Sequence, residues 1–266
     1  MAATARIVVP KELEGLLVVE SCEDFPIDTY ILPAAQKEIF DSIVEAKTVT
    51  EEMHKMGLSY MNSTLLYGPP GTGKTTFARY VAYKLNMDLA YINFAKLVDG
   101  VFGNTSRKID EIFAFMAAQK CVFLFDEIDC VAVKRGEEGA ATGGELSRIT
   151  ISIMQAMDYY RSRKIDSILI ACTNRFDRVD PALRSRFSIA KKVPQFTNEE
   201  RRRYIENFLT KAGVPYDKMN IMTYCAQNPM ITARNVESDE IRCIVNWIKN
   251  GKTKFVLDHI QMDDQF

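Results

Sequence analysis

The sequence predicts an α/β protein in which a parallel sheet is flanked by helices and followed by a small C-terminal helical domain. First, four short apolar runs alternate with segments whose apolar residues recur at helical spacing. Strands that alternate with helices are typical of parallel sheets. Second, strand signals fade after Pro194, where two helical patterns remain. The predicted strands are 64–67, 89–93, 121–125 and 167–172, and the predicted helices are 74–85, 107–119, 146–159, 198–211 and 236–249.

Chain length and composition fit either one large domain or one large domain with a smaller one. The chain has 266 residues, of which 47% are apolar, so a sizeable core is available. Glycines at 136, 139, 143 and 144 predict a mobile loop beside the sheet. We expect a lead-in segment at 1–45, the α/β domain at 46–194 and a helical lid domain at 195–266.

Charge, cysteine spacing and hydropathy exclude several classes of protein. The 34 basic and 35 acidic residues give a net charge of −1, so binding of nucleic acid through bulk charge is not implied. The six cysteines include no C-x-x-C pair, and neither a zinc site nor a disulfide framework is indicated. No signal-peptide pattern and no window of about 18 uncharged apolar residues is present. We therefore expect a cytoplasmic protein with no membrane span.

The pattern G-x-x-x-x-G-K-T at residues 68–75 predicts a phosphate-binding loop, or P-loop. It follows a predicted strand and opens a predicted helix, as the motif requires. Its glycines let backbone N–H groups turn inward, and the helix adds the positive end of its dipole. Lys74 is expected to reach the terminal phosphates of ATP, and the Thr75 hydroxyl to bind Mg²⁺. A surface turn, the alternative interpretation, does not explain the Lys-Thr pair. The expected nucleotide-binding residues of the loop are Pro70, Gly71, Thr72, Gly73, Lys74, Thr75 and Thr76.

Two adjacent carboxylates end the predicted strand 121–125. Asp126 is expected to hold Mg²⁺ through its waters, and Glu127 to orient and polarise the water that attacks the terminal phosphate. By themselves, two solvated acids at the end of a strand would be the simpler interpretation. The P-loop earlier in the chain favours the catalytic one, so the sequence predicts an ATPase.

Asn174 follows the predicted strand 167–172. The carboxyl ends of parallel strands share one edge of a sheet, so its side-chain amide is expected near the P-loop. It can hydrogen-bond the terminal phosphate or the attacking water. A capping role in a turn explains an asparagine at this position equally well.

Three segments together resemble the AAA+ ATPases, and specifically the classical AAA branch that includes membrane-protein-degrading, proteasomal and microtubule-severing members. They are residues 62–75, 125–129 and 173–187; the last resembles the second region of homology that distinguishes this branch. The resemblance spans about residues 62–193. It implies a P-loop NTPase fold with a helical lid, nucleotide between the two, MgATP hydrolysis, and a homo-oligomeric ring, expected to be a hexamer.

The resemblance also implies roles for single residues. The asparagine that matches Asn174 is the sensor 1 residue. An arginine near the matching phenylalanine is the arginine finger, which enters the site of the neighbouring subunit and neutralises charge on the transferred phosphoryl group. Arg186, directly before the matching phenylalanine, is the first candidate for this finger and Arg184 the second. The spacing of the two arginines is closer to that of the severing members, and either arginine can be the main finger.

Two further positions bear on what the ATPase does. Relatives that thread polypeptide carry an aromatic residue in a central pore loop; here Phe102, within residues 100–104, lies one position late and either grips substrate or anchors the loop. Arg234 resembles the sensor 2 arginine of other AAA+ branches, which reaches the nucleotide from the lid; an ordinary residue at a helix start is the alternative.

Remodelling or unfolding of a protein substrate is the expected function, driven by ATP hydrolysis. A nucleotide-switched regulatory or loader ATPase, which acts on a partner enzyme or on nucleic acid without threading, is the alternative. The displaced Phe102 and the sensor 2-like Arg234 favour this alternative.

Overall fold

The computed structural model describes residues 6–98, 105–132, 143–163 and 165–260. These divide into two compact units. The first unit contains the described residues of Met1–Phe25, Gln36–Gly68 and Lys74–Val193. The second contains those of Pro26–Ala35, Pro69–Gly73 and Pro194–Phe266.

A six-stranded sheet in the order β1-β3-β4-β5-β2-β6 organises the first unit. All neighbouring strands are parallel except β1 and β3, which are antiparallel. The α/β prediction is confirmed, and the four predicted strands match β2 to β5 to within one residue at each end. The strands are β1 (Leu17–Glu20), β2 (Ser63–Tyr67), β3 (Asp88–Ile92), β4 (Cys121–Phe125), β5 (Ile168–Thr173) and β6 (Ile189–Lys192).

Helices connect these strands and form most of the second unit. The predicted helix bounds differ from the observed ones by at most three residues. Several elements form where the sequence pattern predicts none, among them the short strand at 17–20 and the long helix at 34–55. The helices are α1 (Ala34–Lys55), α2 (Lys74–Leu85), α3 (Phe94–Val98), α4 (Thr105–Ala118), α5 (Gly143–Arg161), α6 (Pro181–Arg184), α7 (Asn198–Lys211), α8 (Lys218–Gln227) and α9 (Ala233–Lys249).

The core of the first unit lies on the faces of the sheet. Every residue of β4 and β5 is buried, as expected for central strands covered by helices on both faces. Helix α4 packs one face against this core, and the apolar residues of that face recur at helical spacing. They are Ile109, Ile112, Phe113 and Met116, each at most 2% exposed. This packing holds the carboxyl ends of the central strands in place.

The second unit has a core of its own. Ile205 and Leu209 of α7 pack with Ile221 of α8 and Val236 of α9. Helix α7 begins with a capping box, in which Thr197 accepts from the backbone of Glu200 and the Glu200 carboxylate accepts from the backbone of Thr197. A cap of this kind satisfies two backbone donors that would otherwise lack partners, so it fixes where the helix starts.

Glu240 of α9 is a charged residue type buried inside this second unit. It is 0% exposed, and neither carboxylate oxygen accepts a hydrogen bond from any described residue. Burial, reinforced by the charges of Glu237 and Asp239, raises the pKa of Glu240 from 4.5 to about 9. The side chain is therefore a neutral acid at pH 7.

We expect Glu240→Gln to stabilise the protein at pH 7 by about 3 kcal/mol. The unfolded chain releases the Glu240 proton near pH 4.5, whereas the folded chain holds it up to about pH 9. The native stability therefore falls as pH rises through this window, and the neutral amide removes that loss. Urea unfolding at pH 5, 7 and 8.5 measures the effect, with Glu199→Gln, at an exposed glutamate of α7, as the control. A stability gain that does not grow with pH would contradict the buried neutral carboxyl.

Candidate nucleotide site

The sheet brings three polar segments to one edge. In the parallel register, Tyr67 at the end of β2 lies opposite Thr173 at the end of β5. Phe125 at the end of β4 lies opposite Ala171 on the other side of β5. The P-loop, Asp126 and Asn174 therefore all follow strands that end at the same edge, where open α/β sheets bind their ligands.

Two glycines of the P-loop occupy positions that a side chain would not fit. A Cβ on Gly68 would lie 2.3 Å from the backbone oxygen of Val193, so the loop begins in direct contact with the chain that follows β6. Gly71 has φ +74°, and a Cβ there would lie 2.8 Å from the hydroxyl oxygen of Thr232. Pro70 and Thr76, also predicted to bind nucleotide, are exposed.

The Lys74 ammonium is buried at this edge rather than extended into solvent. Lys74 is the first residue of α2, and the residue is 7% exposed. Nζ donates to the carbonyl oxygen of Gly68 at 2.9 Å and to Oδ1 of Asn174 at 2.7 Å. A cation held among oxygen acceptors beside a helix start suits the terminal phosphates of a nucleotide, which supply oxygens of the same kind.

Thr75 and Asp126 form a pair of oxygen ligands next to Lys74. The Thr75 hydroxyl donates to Oδ2 of Asp126 at 2.8 Å, and both residues are half-buried. Hydroxyl and carboxylate oxygens are the groups that hold Mg²⁺ when the rest of its shell comes from water and phosphate. Within the described residues, no cluster of three or more His, Cys, Asp or Glu suggests a competing metal site. The donor set therefore fits a magnesium ion brought by the nucleotide.

Glu127 lies next to this pair with its side chain exposed. Its backbone is left-handed, with φ 50° and ψ 43°, an uncommon conformation for a residue other than glycine. The turn ends β4 and starts the short 3-10 helix Ile128–Cys130. The backbone N–H of Glu127 donates to Oδ1 of Asp126 at 3.0 Å. Such backbone strain is common at functional sites, where it orients a side chain.

Asn174 is supported by a contact that the sequence pattern does not predict. The preceding Thr173 donates through its hydroxyl to Oδ1 of Asp129 at 2.7 Å, and that same hydroxyl accepts from the backbone of Arg175 at 3.0 Å. Asp129 belongs to the segment after β4, so these bonds join the ends of two neighbouring strands. Asn174 itself is exposed and turns its Oδ1 to Lys74.

Arg186 and Arg184 have different partners within the same chain. Arg186 makes a two-pronged ion pair with Asp158 of α5, with Nε–Oδ1 at 3.0 Å and Nη2–Oδ2 at 2.8 Å. The Arg184 guanidinium lies over the Phe176 ring, 4.6 Å from its centre, and Phe176 stacks on Tyr67. The Nε of Arg184 is buried and has no hydrogen-bond partner among the described residues. Asp158 is 28 residues from Arg186 in sequence, so no local pattern could identify it.

Arg234 occupies the first turn of α9 and is exposed. Thr232 caps this helix by accepting from the backbone N–H of Asn235 at 3.3 Å. A Cβ on Gly71 would lie 3.4 Å from the Arg234 Cβ, so the P-loop passes close to this helix start. An arginine at the start of a helix fits an anion, because the positive end of the helix dipole lies there.

Two predicted features lie outside the described residues. They are Phe102 with the rest of 100–104, and residues 136–142 of the glycine-rich loop. Among the helices of the described ranges, none is both long and apolar enough to cross a membrane.

Comparison with known proteins identifies the family. Residues 64–195 match the model of the ATPase family associated with various cellular activities (AAA). The 26S proteasome regulatory subunit 8 of Dictyostelium discoideum is 32% identical over 73% of this chain and 49% of its own length. The probable 26S proteasome regulatory subunit 10B of Caenorhabditis elegans is 31% identical over 77% of this chain and 53% of its own length. The peroxisomal ATPase PEX6 of Arabidopsis thaliana is 32% identical over 59% of this chain and 15% of its own length.

The chain thus spans about half the length of the two proteasome subunits that it matches. A chain in the structure of the E. coli MS115-1 HORMA:CdnC:Trip13 complex has the same fold, with a TM-score of 0.70 and 17% identity over 91% of this chain and 90% of that one. The P-loop NTPase fold and the resemblance to the classical AAA branch are both confirmed. Through residues 64–195, this chain belongs to the AAA family of ATPases.

Proposed function

We propose that this protein hydrolyses ATP, taken as its magnesium complex, at the edge formed by the P-loop and the ends of β4 and β5. The observation that carries the proposal is the pair of contacts from α2: Lys74 to Asn174, and Thr75 to Asp126. These contacts bring a cation, a hydroxyl, a carboxylate and an amide together at the start of α2. Phosphoryl transfer requires this combination, because its catalysis is mainly positioning and charge neutralisation.

Each side chain has a separate task in the proposed reaction. Lys74 binds the terminal phosphates, and Asn174 orients the terminal phosphate that Lys74 binds. Thr75 and Asp126 would hold the magnesium ion, directly or through its waters, and the ion would supply positive charge beside the phosphate oxygens. Glu127 accepts a hydrogen bond from the attacking water and draws its proton away as the oxygen approaches phosphorus. The exposed position of Glu127 leaves room for this water.

We propose that the active form is a homo-oligomeric ring, expected to be a hexamer, in which Arg186 of one subunit completes the site of the next. The support comes from its guanidinium, which is already in a two-pronged pair with a carboxylate and therefore has the geometry that a phosphate also accepts. In this proposal Arg186 exchanges Asp158 for a phosphate on assembly. Arg184, which stacks on Phe176, has a supporting role.

Coupling of hydrolysis to the remodelling or unfolding of a protein substrate is the proposed outcome of this cycle. The support is similarity to proteasome regulatory subunits and to PEX6, over 59% to 77% of this chain. A location in the cytoplasm belongs to the same proposal. All six cysteines are free thiols and all but Cys130 are buried, which suits a reducing compartment.

The position of Arg234 favours a second candidate function, a nucleotide-dependent switch on a partner enzyme. Its helix start lies close to Gly71 of the P-loop, so Arg234 can contact phosphates that the loop binds. Such a contact makes the position of Arg234 depend on whether the terminal phosphate is present. Loss of nucleotide-dependent behaviour in Arg234→Ala with hydrolysis intact would support the switch, whereas a defect in substrate remodelling alone would support the motor.

We expect Lys74→Met to weaken ATP binding by about a hundredfold, because it removes a charged hydrogen bond to phosphate while retaining most of the side-chain stem. Titration with a fluorescent ATP analogue measures the affinity. Lys84→Met, at an exposed lysine of the same helix, is the matched control and should bind ATP like the wild type. Thermal unfolding of both variants establishes that they are folded. Wild-type affinity in folded Lys74→Met would refute the proposed nucleotide site.

A further inference from the structure

Asp129 is the third carboxylate after β4, and the proposed function gives it no role. It lies in the 3-10 helix Ile128–Cys130, two residues beyond Glu127, and is half-buried. Its Oδ1 accepts a hydrogen bond from the hydroxyl of Thr173 at 2.7 Å. Thr173 is the last residue of β5 and directly precedes Asn174. Asp129 therefore joins the turn that carries Glu127 to the segment that carries Asn174.

The Thr173 hydroxyl has a defined orientation. Its oxygen accepts from the backbone N–H of Arg175 at 3.0 Å, and its single proton goes to Asp129. Thr173 is 1% exposed, so water has little access to either bond. A threonine oxygen that accepts from the N–H two residues later forms a turn that restrains the backbone between them. The residue between them is Asn174.

Asn174 depends on this turn because it is exposed and has little packing of its own. Its Oδ1 accepts from Nζ of Lys74 at 2.7 Å, and an ammonium can only donate, so this bond also fixes the orientation of the amide. The Nδ2 end is then the donor for the terminal phosphate or the attacking water. A displacement of about 1 Å in such a group can lower a rate about a hundredfold. The rate of hydrolysis should therefore depend on the contacts that hold Asn174.

The bond from Thr173 to Asp129 is not required to align the two strands. Strands β4 and β5 already pair along four residues of each. The turn after β4 is anchored separately, because Ile128 is 0% exposed and the backbone N–H of Cys130 donates to the oxygen of Glu127 at 2.9 Å. The effect of Asp129 is therefore local to the end of β5.

We propose that Asp129 is a positioning residue for ATP hydrolysis, which holds Thr173 so that Asn174 lies beside Lys74. The same bond sets the turn of Glu127 against the segment of Asn174, and in the proposed reaction these two residues act on the water and on the phosphate. Asp129 acts through Thr173 and does not itself contact ATP. This inference rests on the proposed function, because it assigns a further residue to the same site.

Single-turnover hydrolysis and equilibrium ATP binding, measured on the same variants, test this role. Asp129→Ala is expected to lower the rate about tenfold and to keep the ATP affinity within about twofold of the wild type, because Lys74 still binds the phosphates. Asp129→Asn retains an oxygen that can accept from Thr173, so its rate should fall by no more than about threefold. Asp110→Ala, at an exposed carboxylate of α4, is the matched control and should change neither quantity. Urea unfolding establishes that each variant is folded.

Two variants at Thr173 test the same bond from its other side. Thr173→Val keeps the shape of the side chain but removes the hydroxyl, so it should lower the rate at least as much as Asp129→Ala. Thr173→Ser keeps the hydroxyl and should recover most of the rate. A loss in Asp129→Asn as large as that in Asp129→Ala would contradict a role through this hydrogen bond.

A double-mutant cycle with Asn174→Ala separates positioning from a general structural effect. Asn174→Ala alone is expected to lower the rate about a hundredfold. If Asp129 acts through Asn174, adding Asp129→Ala should lower the rate by no more than about a further twofold. The same tenfold loss in both backgrounds, or a wild-type rate in Asp129→Ala, would overturn the positioning role and leave the proposed function intact. A wild-type rate in Asn174→Ala would overturn the role assigned to Asn174 in the proposed function, and this inference with it.

Discussion

Glu127→Gln is expected to lower the rate of ATP hydrolysis by about a thousandfold while ATP still binds. The amide has the size of the carboxylate but cannot draw a proton from the attacking water. It also suits the left-handed turn at residue 127 as well as glutamate does, so the fold should not change. Single-turnover hydrolysis measures the rate, and equilibrium binding of ATP measures the retained affinity.

The matched control for this prediction is Asp177→Asn, which removes an exposed carboxylate shortly after Asn174. It should hydrolyse ATP within about threefold of the wild type, because loss of an exposed charge has a small effect. Wild-type turnover in Glu127→Gln would rule out the role assigned to Glu127. Because the variant should stay bound to ATP, it is also the form in which a substrate protein should copurify.

Arg186→Ala is expected to lower the rate of hydrolysis by about a thousandfold without loss of assembly, because a finger supplied by a neighbour stabilises charge in the transition state. Mixing this variant with Lys74→Met protein tests the claim. Each variant is inactive alone, but at a mixed interface the intact Arg186 of the Lys74→Met subunit meets the intact P-loop of the other. Recovery of part of the activity is the expected result.

Asp158→Asn separates the finger from a structural role for the same ion pair. Both Asp158→Asn and Arg186→Ala break the pair, whose two-pronged geometry holds Arg186 within its own subunit. A structural role predicts equal losses of activity in the two variants. The proposed exchange predicts that Asp158→Asn keeps its activity. Full activity of Arg186→Ala, or matching losses in both variants, would contradict the proposal, and Arg184→Ala would then be tested as the finger.

The parts of the fold that the sequence predicts are those in which the local pattern and the tertiary environment agree. Strands β4 and β5 are buried on both faces and therefore appear as uninterrupted apolar runs. The edge strand β6 has three exposed residues out of four, so its sequence carries no such run. Strand β1 is also short, and its neighbour in the sheet is β3, at the other edge. Its place in the sheet depends on a partner far along the chain.

The candidate site divides in the same way. Lys74, Thr75, Asp126 and Asn174 follow motifs whose spacing is local, and the sheet brings them together as predicted. The partner of Arg186 depends on a contact between distant segments, so it becomes visible only in three dimensions.

The hydrogen bond from Lys74 to Asn174 has a consequence for the release of product. A lysine side chain that is already ordered in the folded protein loses little further conformational entropy when it binds a phosphate. The free energy of phosphate binding is therefore not reduced by that entropy cost. The same acceptor competes for the ammonium whenever a terminal phosphate departs. Asn174 is thus expected to speed the release of phosphate, because it takes back the Lys74 ammonium. Phosphate release would then not be the slowest step of turnover.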